Sequence, residues 1–522
     1  MSRRDFLTKT LAAPAIAAFA SRLSAQGMPG MHDMSHGMSM GAMGMQHRMP
    51  MMGQSTDKLA GPTALASGAT LRQLPRLANQ SKQPGQFRAT LTAQPRSVAL
   101  LANPTGPATE MWLYNEDTVA PLIDVFEGDR IEITFVNHLP QPSTIHWHGL
   151  PVPSDQDGNP DAMVEPGGTR IYTFTLPLGS SGTYWYHPHP HRLSSEQVFR
   201  GLAGPIIVRA KNDPLATYPE RHLFISDLKL LADGVIPPNT MMDWMNGREG
   251  QYVLLNGQHQ PRIQLNGNER WRIWNACNAR YVRLSLNSHT FSQVGTDGGL
   301  LTHAVHDLKD IVLAPAERAE LIVSAPPQPT SFLLTAAPYD RKKMTMGHGS
   351  PSDDPTIVLA QIKTSNAQPL HLPDRLRDIA PLDKPTATKK IVFSEKMNML
   401  AMGMNHDGFP SGMEFLLNGR SFAMGRIDQE SRKDEVELWE IVNHSDMDHP
   451  FHIHGAQFQI VEREHKGQIT PEPILAWKDT ANVRPDETVR LKIVQTLTGK
   501  RMYHCHILEH EDLGMMGIVN VV

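Results

Sequence analysis

Two distant segments of the chain repeat one another. "VNHLPQPSTIHWHG" and "VNHSDMDHPFHIHG" each place an asparagine, Asn137 or Asn443, nine residues before an H-x-H-G: His146, His148 and Gly149, or His452, His454 and Gly455. Each follows an alternating apolar run ("RIEITFV", "EVELWEIV"), and each is succeeded by a second H-x-H, "HPH" at His187–His189 and "HCH" at His504–His506. A third copy lies between them. "WRIWNACNARYVRLSLN" has Asn275 after an alternating run, but nine residues on it reads Leu284, Ser285, Leu286, Asn287. A unit recurring at such intervals requires successive domains of one kind, and period-two alternation makes them β. The expectation is an all-β chain of three consecutive domains, the outer two bearing histidines and the middle one a ligand-free spacer holding them face to face.

In a strand, alternate side chains point to opposite faces. In "HCH", His504 and His506 therefore face one way and Cys505 the other, so one strand serves two sites. A thiolate with two imidazoles and a weak thioether is the blue-copper ligand set; His449, Cys505, His510 and Met515 supply it. The other eight histidines form four H-x-H pairs, enough for a three-metal cluster at the interface of the outer domains. Structural zinc closes with four ligands, fewer than are present here.

With these motifs the chain resembles the three-domain multicopper oxidases of the laccase type, built from cupredoxin-like Greek-key β-sandwich domains. "HWHG", "HPH", "HPFHIHG" and "HCHILEHEDLGMM" carry the resemblance, which covers about Val98 to Val522. It implies four coppers per chain. His449, Cys505 and His510 would hold type 1 copper with Met515 axial; His146 and His452 match the type 2 ligands; His148, His187, His189, His454, His504 and His506 match the type 3 pair. It further implies one-electron oxidation of a reductant coupled to four-electron reduction of dioxygen to water. Asp157 and Glu511 match acidic residues near the cluster in bacterial members and are expected to deliver protons, although Asp157 also suits a turn in "QDGN". Copper-free relatives acting as scaffolds lose the ligands, so the complete set argues against that role.

Composition sets the remaining limits. A net charge of −4 offers no basic field for nucleic acid. The 41 prolines and 39 glycines call for many turns, and two cysteines exclude a disulfide framework. Cys277 reads as a small buried apolar residue. Residues 1–25 read as a twin-arginine export signal: Arg3-Arg4, an apolar run too short to span a bilayer, and a small-residue site near Ala25. The expectation is a periplasmic monomer without stable membrane insertion. Residues 26–70 read as a flexible arm, with ten methionines from Met28 to Met52 among His32, His36 and His47. The three domains are placed at 71–211, 212–368 and 369–522.

Methionine recurs near the third domain's start: Met397, Met399, Met402 and Met404, with Met344, Met346 and His348 upstream. Thioethers prefer Cu(I), and similar segments in bacterial cuprous oxidases guide Cu(I) to the type 1 site. Asp446, Met447 and Asp448 are expected to complete such a site. The reductant expected is Cu(I), in copper resistance, with phenols secondary; a laccase acting generally on phenols is the alternative.

Overall fold

A computed structural model of the chain describes residues 58–103, 105–115, 119–344, 354–365 and 371–522. The segments expected to be an export signal and the methionine-histidine part of an arm, together with Met346 and His348, lie outside the described residues. The architecture is three successive pairs of packed sheets. Strands between Gln86 and Arg209 form sheets of four and three strands; those between Glu220 and Thr364 form sheets of seven and five; those between Ala387 and Val521 form sheets of six and five, with a small two-stranded ribbon. Each pair encloses its own apolar core.

One parallel strand pair recurs in all three units: Gln86–Val98 with Arg130–Asn137, Glu220–Leu228 with Asn268–Asn275, and Ala387–Met397 with Val436–Asn443. Each second strand ends on the repeated asparagine. There Asn137 donates to the carbonyls of Gln141 and Val164, Asn275 to those of Arg280 and Leu313, and Asn443 to those of Met447 and Val483. In each copy the amide oxygen accepts from the backbone N–H two residues on. All three are buried, so this clamp satisfies loop carbonyls that water cannot reach. The residue twelve positions later has positive φ in each copy: Gly149 at 85°, Asn287 at 58° and Gly455 at 62°.

Alternation matches burial where one face is solvated, as in Arg130–Asn137. The middle copy, Asn268–Asn275, is buried on both faces. Its outer face is covered by the first domain, with Trp274 donating to the Tyr184 carbonyl and Arg272 to the Thr183 hydroxyl. A further apolar cluster spans all three units, with Trp185, Trp274 and Leu508 among its members. Residues 58–70, assigned above to the arm, run against the second unit: Ala60 N–H donates to the Leu230 carbonyl, and Thr70 bridges to Arg262. Among the described residues no helix is long and apolar enough to cross a membrane.

Candidate metal centres

The strand Gly499–Cys505 pairs with His449–Ile453 so that Cys505 lies opposite Phe451 and His504 opposite His452. Cys505 thereby enters the third domain's core, and the flanking histidines face the first domain. Two groups of ligand atoms result.

In the first group, His449 Nδ1 lies 3.2 Å from Cys505 Sγ and 3.3 Å from His510 Nδ1, and Sγ is 4.0 Å from His510 Nδ1. All three residues are buried. His510 stacks on Phe415 and donates from Nε2 to the Met245 carbonyl at 3.1 Å. Its proton is therefore held away from the sulfur, and Nδ1 is left as the donor atom. Met515 is fully buried; its N–H donates to the His510 carbonyl and its carbonyl accepts from Cys505 N–H, which closes the ligand loop. Burial pushes the Cys505 thiol well up, so a thiolate here needs a cation beside it.

The second group gathers the eight remaining histidines, all fully buried. His146 Nε2 and His452 Nε2 are 3.4 Å apart, although each ring has its proton committed elsewhere. His146 Nδ1 donates to Asp157 Oδ1, and His452 Nδ1 to the Asp479 carbonyl. Two bare lone pairs thus face each other. His504 Nε2 is likewise 3.2 Å from both His189 Nε2 and His454 Nε2. His148, His187 and His506 complete the set with ring centroids 4.9–5.7 Å apart. His148 Nδ1, His187 Nε2 and both His506 nitrogens have no hydrogen-bond partner among the described residues.

These positions fit metal ions. Two nitrogens each about 2 Å from one ion, a tetrahedral angle apart, are separated by about 3.3 Å, close to the spacings found. Burial, reinforced by neighbouring histidines, holds His148, His187, His189, His452, His454 and His506 far below the ordinary imidazole range. Burial takes His449 and His504 to about 3. Neutral imidazoles with unpaired lone pairs are what copper accepts.

Asp157 is buried beside the histidine cluster: Oδ1 accepts from His146 Nδ1 and Oδ2 is 3.3 Å from His454 Nδ1. Glu511 lies 3.5 Å from His189 Nε2 and 3.2 Å from His504 Nδ1. Burial, and then the neighbouring Asp512, raises its carboxyl well above the usual range. The expected Asp446–Met447–Asp448 site is corrected. Met447 is fully buried and its carbonyl serves the Asn443 clamp; Asp448 is buried and accepts from Tyr339 and Asn482 at 2.7 Å. Only Asp446 is exposed.

Sequence reading missed two contributors. Asp479 touches His148 and His452, and Met245 in the middle domain fixes His510. Neither carries a motif; both act across long sequence separations. Among the described residues, no candidate metal cluster includes a residue of the second domain. Leu284 and Leu286 fill its core instead.

Three cupredoxin-like sandwiches with a cysteine-histidine group beside a histidine cluster define a copper-dependent oxidase. Family models described as multicopper oxidase match residues 99–213 and 393–522. A multicopper oxidase of Staphylococcus haemolyticus is 32% identical, covering 78% of this chain and 83% of that protein. A Bacillus stratosphericus laccase is 27% identical over 80% of this chain and 91% of its own length. The solved structure of a Campylobacter jejuni multicopper oxidase, described as a metallo-oxidase, superposes with a TM-score of 0.84 at 44% identity, covering 90% of this chain and 98% of that one. The chain belongs to the multicopper oxidase family.

Proposed function

We propose that the chain is an exported, periplasmic oxidase holding four coppers, that its principal reductant is Cu(I) in copper resistance, and that phenols are secondary substrates. His449, Cys505, His510 and Met515 would hold the type 1 ion, His146 and His452 type 2, and the other six histidines the type 3 pair. The observation that carries the choice of reductant is a rim of half-buried methionines. Met241, Met242 and Met344 from the middle domain, with Met397 and Met402 from the third, pack on the core containing Cys505 and Met515. Met399 and Met404 stand exposed beside them in sequence. Thioethers at a surface bordering this site suit a soft monovalent cation. The relative described as a metallo-oxidase supports the same reading.

Copper bound in these sites supplies the one-electron couples that accumulate electrons for dioxygen. The chain's own residues do the remaining work. Cys505 and its neighbours His504 and His506 join the two groups through adjacent peptide units, and Ile507 N–H donates to the sulfur at 3.4 Å. Each dioxygen takes four electrons and four protons to give two waters. Burial and the neighbouring Asp512 raise the Glu511 carboxyl well above the usual range, which suits it to hold a proton 3.2 Å from His504 Nδ1, and Asp157 orients His146 by accepting from its Nδ1.

Replacing Met397, Met399, Met402 and Met404 with Leu preserves volume and apolarity but removes the thioethers. Steady-state Cu(I) oxidation should fall about tenfold or more while phenol oxidation is retained. Equal Cu(I) rates in variant and parent would favour the general laccase.

A further inference from the structure

One guanidinium in the middle domain touches all three domains and ends on the histidine cluster. Arg318 opens the strand Arg318–Ser324 and is fully buried. All five of its N–H groups are used. Nε donates to the Thr183 carbonyl in the first domain at 2.8 Å. Nη1 donates to the Ala316 carbonyl and Nη2 to that of Asp297, both in the second domain. The remaining two form a fork on Asp479 of the third domain, 2.7 Å to Oδ1 and 2.5 Å to Oδ2. A guanidinium so saturated has one position and one orientation.

Asp479, held by that fork, faces two cluster histidines. Its Oδ1 accepts from His148 Nε2 at 3.0 Å, and its backbone carbonyl accepts from His452 Nδ1 at 2.8 Å. With the His148 proton kept on Nε2, the nitrogen left bare is Nδ1, the buried atom that has no partner among the described residues. His146 and His452 are committed in the opposite sense, leaving Nε2 bare. His148, His452 and Asp479 could themselves hold an ion by proximity, but the fork already occupies both carboxylate oxygens with a cation. The neighbouring backbone is shaped to the fork as well. A Cβ on Gly149, at the end of "HWHG", would lie 2.2 Å from Asp479 Oδ2 and 2.8 Å from Arg318 Nη2.

We propose that Arg318 is a positioning residue: through Asp479 it fixes the ring orientation of His148, so that this histidine offers Nδ1 to the cluster, whereas His146 and His452 offer Nε2. The inference rests on the reading of these histidines as copper ligands. It also gives the middle domain, which among the described residues contributes nothing to a candidate metal cluster, a part in the chemistry of its neighbours.

The test uses the full chain, copper-loaded, with Arg318→Met and Arg318→Lys. Copper per chain and the electron paramagnetic resonance of the histidine cluster are read against the blue absorption of the Cys505 site, which reports an intact fold. Arg318→Met should keep the blue band but lose copper from the cluster or shift its resonance. Arg318→Lys, with charge but no fork, should recover only part of the wild-type signature. A blue Arg318→Met protein with wild-type copper content and resonance overturns the proposal. Should that variant fail to fold, nitrogen-15 resonances of histidine-labelled, metal-free wild-type protein decide, His148 being assigned by its loss in His148→Gln. A proton on Nε2 is expected, and a proton on Nδ1 overturns the proposal. A His148→Gln protein that still binds the full complement of copper would instead overturn the ligand reading, and the inference with it.

Discussion

The middle and third domains perform the same local fold and put it to different uses. After Asn275 and after Asn443 the chain makes the same clamp and arrives twelve residues later at a left-handed residue, Asn287 or Gly455. Between those points the third domain places His452 and His454, and the middle domain Leu284 and Leu286. The two leucines are 1% exposed within their core, whereas the two histidines are buried against the other cluster rings. The loop is specified by its ends, and the side chains at the ninth and eleventh positions are free to be ligand or core. Even the left-handed residue follows local need. A Cβ on Gly455 would strike the Arg501 guanidinium at 1.6 Å, while asparagine, which tolerates this conformation better than most residues, serves at 287.

The two cysteines give the largest test of this division. Cys505→Ser should abolish the blue colour and turnover yet leave copper in the histidine cluster, because the eight histidines are untouched. Cys277→Ser, in the middle core, should leave colour and copper content as they were. Absorption spectra and metal analysis of both variants decide, and a colourless Cys277→Ser protein that is correctly folded would break the comparison.

Leu284→Ala or Leu286→Ala should cost about 2–5 kcal/mol of stability, measured by denaturant unfolding, with unchanged copper content in the folded fraction. Copper lost from fully folded protein would show that these positions serve the cluster as well as the core.

Acid gives the smallest effect and the finest resolution. His449 and His504 titrate at about 3 when folded, against an ordinary 6.5. Unfolding therefore takes up protons between these values; the stability is complete above about 6.5 and is lost as pH falls toward about 3. The raised carboxyls of Glu509, Glu511 and Asp512 act oppositely, but the buried histidines outnumber them. Metal-free protein should lose about 5 °C or more in melting temperature between pH 7 and pH 5. Hydrogen exchange should show His449–Ile453 losing protection before Val282–Ser285. Equal loss in both strands would mean that the histidines do not set the acid response.

Much of this was legible beforehand because it is periodic or local. Period-two alternation and the Asn-to-histidine spacing gave three β domains, and the cysteine between two histidines marked the strand serving two groups. What escaped notice acts between domains. Arg318, Asp479 and the Met245 carbonyl meet their partners through folding alone, and nothing adjacent to them in sequence signals it. The misreading at Asp446–Asp448 has a related cause. Carboxylate and thioether beside a candidate ligand suggested a binding site, but Tyr339 and Asn482 engage the Asp448 carboxylate, and Met447 is buried with its carbonyl in the Asn443 clamp.

The strand carrying Cys505 also has a consequence for assembly. Side-chain direction alternates with a period of two, so a slip of one residue against His449–Ile453 would turn the cysteine toward the first domain and the histidines into the core. Such a slip cannot preserve one centre while spoiling the other. The site that would take electrons and the site that would spend them are validated by the same set of backbone hydrogen bonds. A chain slipped by one residue in this strand would lose the cysteine centre and the histidine centre together.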